Sequence, residues 1–271
     1  MWPLYIILNK LLKTEEENAR GSNGGGSSFS VGYPFVHSLN GGKIYHAGLP
    51  RSHFVEVPHI SQLYSWDCGL ACVLMVLRTL GIEQCDLCSL AELCRTTSIW
   101  TVDLAYLLQK FSVSFSFFTI TLGANPSFCI ESFYKEQLPN DLVRVDRLFQ
   151  KALESGINIQ CRSISCKEIS ILILSGKYIA IVLVDQYKLR CRSWLEDVCV
   201  SAFYAGNSGY SGHYIVVCGY DAERDEFEIR DPASSRKCDK VSTGCLEEAR
   251  KSFGTDEDLL LISLDKDKLL L

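Results

Sequence analysis

Residues 69–80 read GLACVLMVLRTL and stop at Gly81. An apolar run of that length is too long for a strand, so it predicts a buried helix closed by a glycine cap. A shorter segment at 52–60 alternates with period two and predicts a strand. Downstream, 103–111 has helical periodicity. Residues 112–122 alternate Ser and Thr with Val, Phe and Ile, the pattern of a half-buried strand. Helical patterns follow at 128–138 and 141–155, a strand at 157–162, a helix at 167–174 and a central apolar strand at 178–184. Strands at 213–220 and 226–230 flank a turn around Asp221-Ala222-Glu223-Arg224. A helix at 244–253 and a strand at 258–263 complete the order. Helices dominate early and strands late, which predicts an α+β fold with helices packed on an antiparallel sheet.

The pattern changes character before Arg51. Residues 1–13, MWPLYIILNKLLK, are mostly apolar with lysines toward the end. They read as a short docked helix or, in the sharper reading, as an interfacial anchor giving weak membrane contact. Residues 14–30 lose apolar content and gain Gly, Ser and charge, the composition of a flexible linker. The expected organisation is an apolar segment and Gly/Ser-rich leader over 1–50 and one domain over 51–271.

Composition narrows the function classes. The chain has 271 residues, 47% of them apolar, enough for one large domain with a real core. Its 27 basic and 32 acidic residues give a net charge of -5, against the basic excess of a general nucleic-acid binder. No apolar run reaches the roughly 18 residues that span a bilayer. Thirteen cysteines is an odd number and follows no secretory signal pattern, so free thiols in a reducing compartment, cytosol or nucleus, are expected.

The chemistry concentrates at Gln62-Leu63-Tyr64-Ser65-Trp66-Asp67-Cys68-Gly69. Cys68 falls where an irregular segment meets the buried helix. A thiol there meets the positive end of the helix dipole and free backbone N–H groups, both of which favour thiolate. Gly69 allows close approach to the backbone. Gln62 lies six residues upstream, where its amide and the Cys68 backbone N–H form a candidate oxyanion hole. A base is needed, and the five histidines are His37, His46, His53, His59 and His213. His213 opens the strong apolar strand 213–220, a rigid platform for an imidazole. Asp231 ends the next strand, so an antiparallel pair brings both to one edge. Cys68, His213 and Asp231 are the candidate catalytic triad.

The motifs Gln62…Asp67-Cys68-Gly69…Ala71, Gly212-His213-Tyr214…Gly219-Tyr220-Asp221 and Asp231-Pro232 resemble papain-like peptidases that process bacteriocins at ABC transporters. That resemblance implies a papain-like fold and a peptide or protein substrate, with Cys68 as nucleophile, His213 as base, Asp231 as its orienting residue and Gln62 in the oxyanion hole. A longer resemblance covers nearly the whole chain. MWPLYIILNKLL, SWDCGLACVLMVLRTLGI, TTSIWTVDLAYLLQKF, GHYIVVCGYDAERDEFEIRDPASS and ARKSFGTDEDLLLI are similar to the plant soluble guanylyl cyclase family, a group that includes the animal guanylyl-cyclase-domain-containing protein. This implies conversion of GTP to cyclic GMP with Mg²⁺ or Mn²⁺. The hydrolase reading implies no cofactor.

The two implications differ in what they require. A cyclase centre motif fits loosely at Ser65, Trp66, Ala71, Val73 and Arg78, and departs at Asp67, Cys68 and Gly69. Cyclising GTP needs a metal clamp on the triphosphate, and no GxxxxGK[ST] loop is present. Asp225-Glu226 and Asp256-Glu257-Asp258 are candidate metal carboxylates, although short acidic runs are commonly solvated turns. Cys85-x-x-Cys88 with Cys94 resembles half a zinc site, with Cys161 and Cys166 as partners in space; core and surface thiols are the expected reading. Thr101 is the expected cap of the helix that follows Trp100. Arg230 should face away from Asp231 on its strand. No residue is assigned to a metal or cofactor on sequence grounds.

Overall fold

A computed structural model describes residues 48–191 and 210–265. The segments 1–13 and 14–30 and the histidines His37 and His46 lie outside the described residues.

Helix α1, Cys68–Thr79, is buried from Cys68 to Leu77. Its side chains are apolar on all faces, so it runs through the core rather than along the surface. It stops because Gly81 takes a φ of +81°, the left-handed conformation that ends helices. The Gly81 and Ile82 N–H groups then bond the Arg78 and Leu77 carbonyls at 3.1 and 2.9 Å. The remaining helices are α2 (Leu87–Cys94), α3 (Thr101–Lys110), α4 (Ser132–Lys135), α5 (Leu138–Lys151), α6 (Cys166–Leu174), α7 (Gln186–Cys191) and α8 (Thr243–Arg250).

The strands are β1 (Ser52–Phe54), β2 (Phe115–Thr119), β3 (Ile159–Cys161), β4 (Tyr178–Asp185), β5 (Gly212–Asp221), β6 (Glu226–Arg230), β7 (Asp239–Ser242) and β8 (Leu259–Ser263). They form one sheet in the order β3-β2-β8-β4-β5-β6-β7, with β1 pairing β5 off that path. Every pairing is antiparallel except β2 with β3. The α+β class and the antiparallel β5–β6 pair are therefore as expected. Alternate residues of β4 explain its unbroken apolar run. Ile179, Ile181 and Leu183 pack in the cluster that contains α1 and α3. Ala180, Val182 and Val184 pack in the cluster that contains α6 and α8. A strand covered on both faces has no polar side to display.

Several boundaries differ from expectation. The strand expected at 52–60 pairs only over Ser52–Phe54; Pro58 cannot donate to a ladder, and the Val57 carbonyl is taken by Arg230 Nε at 2.8 Å. The helix expected at 128–138 is broken into a 3₁₀ turn, Pro126–Ile130, and α4. Glu131 between them is extended. Pro139 then starts α5 three residues early. Helix α2 was not expected. Asp86 caps it through the Ser89 N–H at 2.8 Å, so the Cys85, Cys88, Cys94 spacing lies on and beside a helix. Among the described residues no three His, Cys, Asp or Glu side chains gather as metal ligands, and no helix is long and apolar enough to cross a membrane.

Candidate active site

Asp67 immediately precedes α1 and does not cap it. Its carboxylate turns back instead, accepting the Leu63 N–H at 3.1 Å and the Tyr64 N–H at 3.0 Å. Two consequences follow. The 62–65 loop is locked against the helix start, and the first amides of α1 keep their donors free of a side-chain cap. Cys68 is the first helical residue and is 5% exposed. Gly69 follows in a tight place: a Cβ there would lie 3.0 Å from both Leu104 and Tyr214 side chains, which would have to give way.

His213 sits near the start of β5, whose neighbour on one side is β4 and on the other β6. Its Nε2 lies 2.7 Å from Asp231 Oδ1. Cys68 is near enough to act on the same imidazole. Burial works against charge on the ring, but the bond to Asp231 and the interaction with Cys68 outweigh it and raise the His213 pKa to about 9. With Nε2 committed to Asp231, Nδ1 is the nitrogen left to serve the thiol. Asp231 Oδ1 also accepts the Ala233 N–H at 2.8 Å, and the Asp231 carbonyl meets His59 Nε2 at 2.9 Å. The structure thus brings three sequence-predicted residues, Cys68, His213 and Asp231, to one point. The contact of His59 depends on a loop pairing that no local pattern reports.

Gln62 departs from the arrangement expected of it. Its backbone N–H donates to the Pro232 carbonyl at 3.0 Å. Its side-chain Nε2 donates to the Tyr64 carbonyl at 2.6 Å, while Oε1 is buried with no partner. The amide is therefore held by its own loop. Asp67 causes this by gathering the Leu63 and Tyr64 N–H groups, which presents the Tyr64 carbonyl to Gln62. Between the 62–65 loop and the 232–235 loop runs an open trough of about 440 Å³.

Neighbouring groups are set apart from this centre. Cys72, one turn along α1, is fully buried, and burial pushes its thiol well up, with the charges of Cys68 and Asp231 adding to that. Arg230 turns to Glu228 Oε1 at 2.9 Å and to Val57, away from Asp231 as expected. Thr101 is not the cap of α3. Trp100 holds that position, and its N–H is taken by Asp103 Oδ2 at 2.9 Å. The Thr101 hydroxyl instead meets the Tyr214 hydroxyl at 3.0 Å, behind Gly69.

The profile of the family described as guanylylate cyclase matches residues 57–262. The chain belongs to that family. It is 64% identical over 267 residues to guanylyl cyclase 1 of Arabidopsis thaliana, covering 98% of this chain and 97% of the relative. Among solved structures it is similar to a Bacillus anthracis protein described as a C39-like peptidase, with a TM-score of 0.44 and 14% identity over 77% of this chain and 94% of that one.

The candidate metal carboxylates lie in the acidic runs 225–226 and 256–258. Burial raises the Asp256 pKa to about 6 and pushes Asp258 well above the ordinary carboxylate range, where the charge of Asp256 adds to the effect. Asp258 Oδ1 is buried without a partner. Glu257 is tied to Arg250 Nη1 at 3.1 Å and to the Ser163 hydroxyl at 2.5 Å. Asp225 Oδ1 accepts the Tyr220 and Thr243 hydroxyls, both at 2.6 Å. Glu257 and Asp225 are thus engaged in protein contacts, and among the described residues no three His, Cys, Asp or Glu side chains gather where one metal ion could sit.

Proposed function

We propose that this guanylylate cyclase family member is a thiol hydrolase, peptidase-like in mechanism, that uses Cys68, His213 and Asp231. The observation carrying this reading is the position of one buried imidazole between a helix-terminal thiol and a buried carboxylate. In this mechanism the Cys68 proton already resides on His213, giving a thiolate–imidazolium pair, and Asp231 orients the imidazolium and stabilises it. The thiolate attacks an acyl carbon. The Cys68 backbone N–H, at the positive end of α1, meets the developing oxyanion. Collapse of the tetrahedral adduct breaks the scissile bond, with His213 donating its proton to the leaving group. Water, deprotonated by His213, then hydrolyses the thioester and restores the thiol. Gln62 joins the oxyanion hole only if its amide leaves Tyr64. The reaction needs no cofactor.

The second reading is a guanylyl cyclase, and the observation favouring it is the family match together with the name of the 64% identical relative. That reaction joins the ribose 3′-hydroxyl of GTP to its α-phosphorus and releases diphosphate. It has no use for a thiolate.

Cys68→Ser tests both readings on one protein. It keeps size and hydrogen bonding while removing most nucleophilicity. The hydrolase reading expects loss of ester or peptide hydrolysis by at least about a hundredfold. The cyclase reading expects cyclic GMP output, measured by mass spectrometry with GTP and Mn²⁺, to persist in the variant. Wild-type protein that makes cyclic GMP at an ordinary enzymatic rate but hydrolyses no acyl substrate would overturn the first reading.

A further inference from the structure

The trough beside the triad carries an inference about substrate class, and it rests on the hydrolase reading. Each wall is fused to a proposed catalytic group: the 62–65 loop runs into Cys68, and the 232–235 loop runs out of Asp231. The walls are tied to each other through the Gln62 N–H and the Pro232 carbonyl. Asp67 fixes the first loop by its two backbone bonds. The site is thus built before a substrate arrives.

No lining residue carries a charge. The polar groups are serine hydroxyls, the Gln62 amide and backbone. The apolar surface comes from Leu63 and Tyr64, which are 63% and 61% exposed, and from the exposed Ala233. Large apolar side chains left this open beside a reactive centre mark a surface that contacts something. Tyr64 does not swing freely; its ring stacks on Trp66 with 5.7 Å between centroids and 5° between planes. The nearby acids are already engaged: Asp67 by backbone N–H groups and Asp231 by His213 and Ala233. Arg236, just beyond the second wall, pairs with Asp239 at 3.3 Å.

A charged side chain or a triphosphate lying in this open trough finds no opposite charge to pair with, so its charge gains nothing there. An extended peptide carries neutral backbone N–H and C=O groups that match serine and amide partners. The volume suits a few such residues rather than a folded domain. We infer that the trough receives an uncharged, extended peptide segment, with an apolar or hydroxyl-bearing side chain laid against Leu63 and Tyr64 and the scissile carbonyl delivered to Cys68.

The test uses the full-length protein and peptidyl ketone probes that share one thiol-reactive group. The probes differ only in the residues next to it: Ala-Tyr, Ala-Asp or Ala-Lys. Iodoacetamide serves as the peptide-free control, and labelling of Cys68 is followed by mass spectrometry. The neutral probe is expected to label Cys68 at least about tenfold faster than either charged probe. Ser235→Asp, an exposed change on the trough wall, is expected to move the Lys-to-Tyr rate ratio up by about tenfold, each rate being divided by the iodoacetamide rate of the same variant. Equal rates for the three peptides, or a ratio unmoved by Ser235→Asp in a protein of unchanged melting temperature, would overturn the inference and leave the hydrolase reading standing. Failure of iodoacetamide and every peptide probe to label Cys68 would overturn both.

Discussion

His213 Nε2 and Asp231 Oδ1 are 2.7 Å apart, and both side chains are buried. The pair spans two strands, since His213 lies near the start of β5 and Asp231 directly follows β6. Asp231→Asn keeps an oxygen for the Ala233 N–H but removes the charge that favours imidazolium. The His213 titration, followed by NMR, is expected to move down from about 9. Hydrolytic turnover is expected to fall by about 10²- to 10⁴-fold. A His213 that still titrates near 9 in the variant would show that Asp231 does not set its charge.

Stability should fall as pH rises across the neutral range. His213 holds its proton to about pH 9 in the folded chain, against 6.5 for the ordinary residue. The stabilisation from that proton is fully present below 6.5 and is lost as pH rises through 9. Asp256 acts in the same direction at lower pH. Its carboxyl, pushed up from 3.8 to about 6 by burial, favours the folded state while protonated, and that contribution is lost as pH rises through 6. Urea midpoints measured from about pH 5 to about pH 9.5 are expected to decline. His213→Gln is expected to flatten the limb above 6.5, and Asp256→Asn the limb below it.

Gly69→Ala tests the packing behind the nucleophile. Alanine is the better helix former by about 1 kcal/mol. The new Cβ, however, would sit 3.0 Å from Leu104 and Tyr214, which are buried. The Tyr214 hydroxyl is held by Thr101, so the ring has little freedom to yield. A net loss of about 1–2 kcal/mol is expected in denaturant titrations, with slower alkylation of Cys68. A gain in stability would show that this contact relaxes easily.

Arg250 is fully buried on α8, bonded to the Ile164 carbonyl and to Glu257 Oε2. Arg250→Met removes the charge and leaves Glu257 without its cation. A loss of about 3–5 kcal/mol is expected, read as a lower urea midpoint. The double change Arg250→Met, Glu257→Gln should recover part of it, because no unpaired charge then remains. Equal loss in both variants would show that packing, not charge, dominates there.

The sequence by itself determined the elements whose signal is local. Helix α1 was legible because every position from 69 to 77 is apolar and Gly81 supplies the stop. The β5 and β6 strands were legible because a polar turn separates an apolar run from the alternating segment Glu226-Phe227-Glu228-Ile229-Arg230. Cys68, His213 and Asp231 stood out for the same reason, as reactive residue types at the ends of strongly patterned elements. Only the tertiary structure decided what depends on partners far along the chain. It set Thr101 against Tyr214 rather than at a helix cap, tied His59 to the Asp231 carbonyl, and buried β4 on both faces. It also turned the Gln62 amide to Tyr64, because Asp67 claims the N–H groups of that loop. Periodicity records which face of an element is apolar. It carries no record of which distant carbonyl, hydroxyl or carboxylate a side chain meets, because that choice is made by the packing of the whole chain.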